Sequence, residues 1–305
     1  MHRTTFRPQV ERLEDRALLA GNVSVSAGEV LQLRGDGASN IVRITENGGR
    51  VLIEGLEGTR INGRASIRVS GGFEKVDAKL LAGNDRLIVS GLRATTDINI
   101  EMNGGNDTVK LNNVRAGVVV SVKMDAGSDR VIAAGVRTGS DLAIETGQGP
   151  STVSVASSAV GGTLKVLGLD SADAVTIANV TVGKDLQVNT GKGNDVVNAR
   201  DIDAVLTATI ITDLGSDRVR ASRLRTGEDF NVEAGEGSDY VALTDVISQK
   251  NIKVDVQTGN DFVGVTRVRA EKDAVFLGGD GFDTFDNNGV SGGEKLEIKE
   301  FNRFV

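Results

Sequence analysis

Two stretches of the chain, Gly127–Gln148 (GSDRVIAAGVRTGSDLAIETGQ) and Gly215–Glu236 (GSDRVRASRLRTGEDFNVEAGE), agree at 12 of 22 positions although they lie far apart. Their starts are separated by four times the length of the stretch, and the sequence between them keeps the period. From Gly83 to Asn302 the chain divides into ten copies of this unit without an insertion or a deletion, starting at Gly83, Gly105, Gly127, Gly149, Ser171, Gly193, Gly215, Gly237, Gly259 and Gly281. The unit is too short to bury an apolar face alone, so each copy has to be completed by its neighbours.

Within the copy, apolar residues hold fixed places. Position 5 is apolar in all ten, from Leu87 through Val109 and Val131 to Phe285, and position 18 likewise from Ile100 to Ile298. Position 10 is apolar except at Ser158, and position 16 is apolar from Ile98 to Leu296. Positions 5 and 7, and 16 and 18, are two apart, which is the strand period. Valine and isoleucine dominate, as pleated surfaces favour. The pattern predicts an all-β fold, a parallel β-solenoid of the right-handed β-helix kind. Equivalent residues then form columns about 4.8 Å apart, and ten coils make a rod roughly 48 Å long. A leucine-rich repeat is rejected, because positions 11 to 15 are too short and too rich in Gly and Thr for its helical segment.

The expected organisation is an N-terminal segment over 1–20, a cap with degenerate first coils over 21–82, the ten coils over 83–302 and a tail at 303–305. Ile61–Ala82 aligns as an imperfect copy, and the alternating NIVRIT (40–45) and RVLIEG (50–55) segments predict cap strands. Phe276, Phe282, Phe285, Phe301 and Phe304 bring five of the nine Phe into the stretch 276–305, which predicts a C-terminal cap. Position 15 is Asp in alternate copies only (Asp97, Asp141, Asp185, Asp229 and Asp273), as an ancestral unit of two copies would leave it.

Composition narrows the chemistry. Of 305 residues 39 are Gly, there is no Cys or Trp, and the single His is His2. Thiol chemistry, disulfides, Cys/His zinc sites and a histidine base in the repeats are excluded. The formal charge of −7 argues against a nucleic-acid partner and leaves cations as the natural counter-ligand. No apolar run reaches the length of a membrane span.

Two segments resemble known families. Arg7–Ala20 (RPQVERLEDRALLA) is similar to the N-terminal LEPR-XLL motif of exported planctomycete repeat proteins, with Asp15 where the motif name has Pro. The resemblance implies a cell-surface or extracellular protein, and Val10, Leu13 and Leu18 among alternating charges suit a short amphipathic helix. Gly278–Asp286 (GGDGFDTFD) resembles the RTX calcium nonapeptide in full, while Ala234–Ala242 and Thr190–Asn198 miss only its first Gly. RTX rolls carry the nonapeptide on both edges of a shorter coil; here it occurs once per copy, so at most one edge would hold calcium.

Position 3 is Asp in nine copies: Asp85, Asp107, Asp129, Asp173, Asp195, Asp217, Asp239, Asp261 and Asp283, with Ser151 the exception. In register, neighbouring charges about 4.8 Å apart repel by ~0.9 kcal/mol even at the dielectric constant of water. Two arrangements would compensate them. In one, Ca2+ is held by carboxylates and turn carbonyls, with Asp261, Asp280 and Asp283 the leading cage and the other position-3 residues following. In the other, each carboxylate accepts turn N–H groups, helped by Arg86, Arg130 and Arg218.

Some β-helices are polysaccharide lyases or glycoside hydrolases, and that is the alternative to a binding or structural role. Such enzymes build a cleft from long loops and aromatic platforms. The gapless copies and the single Tyr240 offer neither. The expectation is therefore a non-enzymatic extracellular or cell-surface module, structural or adhesive, with polysaccharide as the candidate partner through an Arg stripe at position 11 (Arg93, Arg115, Arg137, Arg225 and Arg269).

Overall fold

The computed structural model describes residues 21–305, so the expected helix near Arg7–Ala20 lies outside the described residues. The described chain is all-β, a parallel β-solenoid whose coils follow the sequence copies. Each copy lays down one strand from position 4 and another from position 15 or 16, as in Arg130–Ala134 and Leu142–Glu145. From the fourth copy onward the first strand continues through position 12, as in Thr152–Val160 and Arg218–Thr226. It turns at position 9, where the backbone is left-handed in Asn113 (φ 52°), Asp201 (φ 56°) and Arg223 (φ 48°). That corner had a sequence signal, since the column holds Gly91, Asn113, Gly135, Ser157, Asn179 and Asp201, most of them residue types that tolerate this conformation.

The strands assemble into two long sheets of 14 and 17 strands, with a short pair at Thr258–Gly259 and Asp280–Gly281. Inside the stack every strand meets its equivalent in the next coil: Val109 lies between Leu87 and Val131, and Ile98 faces Val120. The core is consequently a set of columns. Position 5 is buried from Leu87 to Phe285, and positions 10, 16 and 18 are buried through the first nine copies. Ser158, the polar exception, uses its hydroxyl to accept the Val136 N–H at 3.1 Å and to donate to the Ala156 carbonyl at 2.9 Å. The tenth copy departs from the pattern: Leu296 is 45% exposed, because no further coil covers it among the described residues.

At the N-terminal end the periodic reading needs correction. Val30–Arg34 and Ile41–Asn47 form the coil below the first full copy, pairing in parallel with Lys75–Lys79 and Arg86–Ser90. Ile61–Ala82 is a coil only in its second half. Its first half contributes Ser66–Ser70, which runs antiparallel to Arg50–Gly55, itself antiparallel to Ile41–Asn47. Asn22–Ala27 likewise pairs antiparallel with Val30–Arg34. These hairpins occupy the edge that a parallel stack would leave open. At the other end Phe276, Phe285, Phe301 and Phe304 do cluster, with ring centroids 5.0–6.4 Å apart. Phe282 does not join them and is 61% exposed. Arg303–Phe304 pairs with Thr284–Phe285, so the tail continues the sheet.

The first residue of the copy controls how closely coils approach. A Cβ placed on Gly215 (φ 143°) would lie 1.6 Å from the Gly193 carbonyl oxygen, a backbone atom with nowhere to go. Both its φ and this contact demand glycine. Gly215→Ala is expected to destabilise the fold by more than about 1 kcal/mol, read as a lower urea midpoint with an unchanged slope. An unchanged midpoint would mean that the coils are not in contact at this corner.

Candidate functional site

The glycine corner carries the aspartate column directly behind it, and the structure turns these side chains inward. All nine position-3 Asp residues are buried. Each sends Oδ1 to a backbone N–H one coil back: Asp85 N–H donates to Asp107 at 2.7 Å, Asp107 to Asp129 at 2.8 Å, and the series resumes through Asp173, Asp195, Asp217, Asp239 and Asp261. Asp261 N–H donates to Asp283 at 2.9 Å. Ser151 keeps the series unbroken, since its hydroxyl accepts the Asp129 N–H at 3.3 Å while its own N–H donates to Asp173 at 2.8 Å. An uncharged residue closes each end: Asn40 N–H donates to Asp85 at 2.6 Å, and Asn302 Oδ1 accepts the Asp283 N–H at 2.6 Å.

A second ladder runs beside it in the opposite sense. At position 2, Asn84 Oδ1 accepts the N–H of Asn106, Asn106 that of Ser128, Asn194 that of Ser216 and Asn260 that of Phe282, all at 2.8–2.9 Å. The alternate aspartates at position 15 form a third. Asp97, Asp141, Asp185 and Asp229 each accept the N–H of the next coil's position 15 at 2.8–3.2 Å. Their two-coil spacing therefore has a structural use beyond ancestry: one acid serves the gap above it, and crowding of like charges is avoided.

The turn reading thus needs a correction in its geometry. The carboxylates bond across coils, not within their own turn. Arg86, Arg130 and Arg218 do not neutralise them either, because position 4 faces the outside of the sheet. Arg130 is exposed, Arg218 lies over the Tyr240 ring at 5.5 Å, and the buried Arg86 Nε has no partner among the described residues. As a calcium cage the column fits poorly. Calcium takes six to eight converging oxygens, whereas each position-3 Asp has one oxygen committed to an N–H. Among the described residues no three acidic side chains converge. Asp280 stands apart, exposed at the corner that precedes Asp283.

The second oxygen sets the electrostatics. Oδ2 of every position-3 Asp is buried and has no hydrogen-bond partner among the described residues. Burial raises Asp107 from the ordinary aspartate value of 3.8 to about 7, against the opposing pull of the Asp85 N–H and with the charges of Asp85 and Asp129 adding to the rise. Burial likewise raises Asp173 and Asp239 to about 7, and Asp85, Asp129, Asp217 and Asp261 to about 6. The column therefore binds protons more tightly folded than unfolded. Its contribution to stability is complete below about pH 4 and is lost as pH rises through 6 to 7.

Thermal midpoints are accordingly expected to fall between pH 4 and pH 8. Asp217→Asn, which keeps the acceptor and removes the charge, should raise the midpoint at pH 8 and flatten the profile. Asp217→Ala should lower it at pH 4 and lie below Asp217→Asn at every pH, because the buried Asp195 N–H loses its partner at a cost of about 1–3 kcal/mol. A profile rising from pH 4 to pH 8 would contradict this account of the column.

No family model, no curated protein and no solved structure matches the chain, so the column is interpreted from its own geometry.

Proposed function

We propose that the chain is a structural or adhesive module of the cell exterior, a stiff non-catalytic rod. The observation that carries this reading is the unbroken ladder from Asn40 to Asn302. Every copy is committed to holding its neighbours, and no copy departs from the period to build a cleft. Catalysis on a solenoid needs such a break in symmetry. The resemblance of Arg7–Ala20 to an export-associated motif supports the exterior setting. Concavities of about 680, 310 and 440 Å3 on the described surface are lined by residues of several coils in succession.

Calcium enters this reading as an optional stabiliser. The observation in its favour is the row of unpartnered Oδ2 atoms, together with exposed Asp280 within the fullest nonapeptide. The hydrogen bonds already made by Oδ1 weigh more, so the column is expected to hold without an ion. Thermal unfolding followed by circular dichroism in EDTA and in millimolar calcium should give midpoints within about 2 °C of each other. A calcium-specific rise of about 10 °C or more, absent with magnesium, would amount to several kcal/mol of linked binding and would make the column a metal site. The exterior setting is tested separately: protease added to intact native cells should remove the tagged full chain, and full protection in the cytosolic fraction would overturn it.

A further inference from the structure

The outward face of the longer sheet is far more basic than the chain as a whole. In the first nine copies positions 4, 6 and 8 carry Arg86, Lys110, Arg130, Arg200, Arg218 and Arg220 and no carboxylate at all. Nine of the 42 acidic residues behind the formal −7 lie inside, in the aspartate column. The face turned to solvent thus differs in sign from what composition suggests.

Next to this face, Arg93, Arg115 and Arg137 at position 11 are exposed and stacked in register, Arg115 directly between the other two. None of the three guanidinium groups has a carboxylate within 4.0 Å among the described residues. Further along the rod the situation changes. Asp201–Arg223 and Asp245–Arg267 form bidentate pairs at position 9, and Arg269 pairs with Glu271. Arg223, Arg267 and Arg269 are thus balanced, while Arg225 stands alone in its row; only in the first three copies do unpaired position-11 arginines follow one another coil after coil. Three like charges at a coil's spacing repel one another, and a ligand carrying regularly spaced negative charge relieves that repulsion.

Shape agrees with charge. Concavities of about 480, 310 and 440 Å3 follow one another along the axis, the first two sharing Ala94 and Arg115 and the last two sharing Arg137 and Thr138. Their floor is low because Gly117 and Gly139 admit no side chain: a Cβ on either would lie 1.9 Å from the carbonyl oxygen one coil back. Glu46 closes the N-terminal end, where its carboxylate accepts the Arg93 backbone N–H at 2.8 Å. Asp203 stands at the far end, in the row of the arginines.

We propose that the groove beside Arg93, Arg115 and Arg137 binds a linear anionic polysaccharide, a uronate or sulfated polymer, laid along the rod axis. The arginines would grip acidic groups repeated along the polymer, through the paired N–H donors that a planar guanidinium offers and lysine does not. A single-stranded nucleic acid fits less well, since such strands are held by stacking on aromatic rings. The stacked pair on this sheet, Tyr240 and Phe262, lies several coils away with its ring faces turned to each other. An added peptide strand would need a free sheet edge, and the strands beside the groove are already paired with their neighbours. The proposal rests on the reading of the chain as a binding or structural module. It is measured on the purified chain, so it stands or falls apart from the calcium and localisation results.

The test is binding of polygalacturonate to the full chain at low and at physiological salt, with neutral dextran and oligothymidylate as comparison polymers. Polygalacturonate should bind, weaken as salt rises and lose about tenfold or more in affinity with R93Q/R115Q/R137Q. R223Q/R267Q, which alters paired arginines, should change it less than about threefold. R115Q alone should show a partial loss and keeps the test valid if the triple variant unfolds by circular dichroism. The proposal is overturned by no retention of polygalacturonate, by equal affinity of the folded triple variant or of R115Q, or by oligothymidylate binding as tightly at the same salt.

Discussion

A stack of parallel coils must be joined at its corners as well as along its strands. The strands manage this by backbone pairing alone, in a register that never slips between Arg86 and Lys299. A corner has no ladder of its own, and its N–H groups would be buried without partners. Here the glycine column lets one backbone come down onto the last, and the side chains at positions 2, 3 and 15 then supply the missing acceptors. The close approach and the acceptors depend on each other. Glycine in nine of the ten copies brings the coils near enough for a short polar side chain to reach across, and those side chains make a buried corner tolerable.

Much of this was legible in the sequence. A fixed period with apolar residues two apart determined the strands, and the columns at positions 5, 10, 16 and 18 proved to be the core. The aspartate column was visible as a column, but the direction of its side chains was not. Position 3 sits where strand alternation is broken by the glycine turn, so no parity rule says whether Asp107 faces water or its neighbour. The left-handed corner at position 9 was legible only in part: Gly, Asn, Ser and Asp mark the column, but Arg223 and Arg267 interrupt it, and arginine is not a residue that announces such a backbone. Residues 61–82 misled because their second half does follow the repeat, while the first half, with the same spacing, is drawn into a hairpin by Arg50–Gly55.

The placement of acids inside and cations outside also changes what net charge means for this chain. Nine carboxyls in a buried column contribute to composition in full and to the external field only weakly, all the more because burial raises their titration toward neutral pH. A sum over the sequence therefore describes the surface poorly. The outward rows have their own pattern, with consecutive unpaired arginines at position 11 in the first copies and carboxylate-paired arginines at position 9 in later ones.

The ladders have a direction, since position-3 acceptors always point to the coil before and position-2 acceptors to the coil after. Any internal copy consequently presents much the same donors and acceptors to whatever copy lies on either side. Removing or duplicating two adjacent units, which keeps the alternate position-15 aspartates in phase, leaves junctions chemically like those already present. Asn40 and Asn302 stay at the ends whatever the number between them. Rod length is thus open to genetic change in steps of two coils, with no new interface to be invented, and the likeness of Gly127–Gln148 to Gly215–Glu236 is the kind of trace that unequal exchange between such units leaves behind.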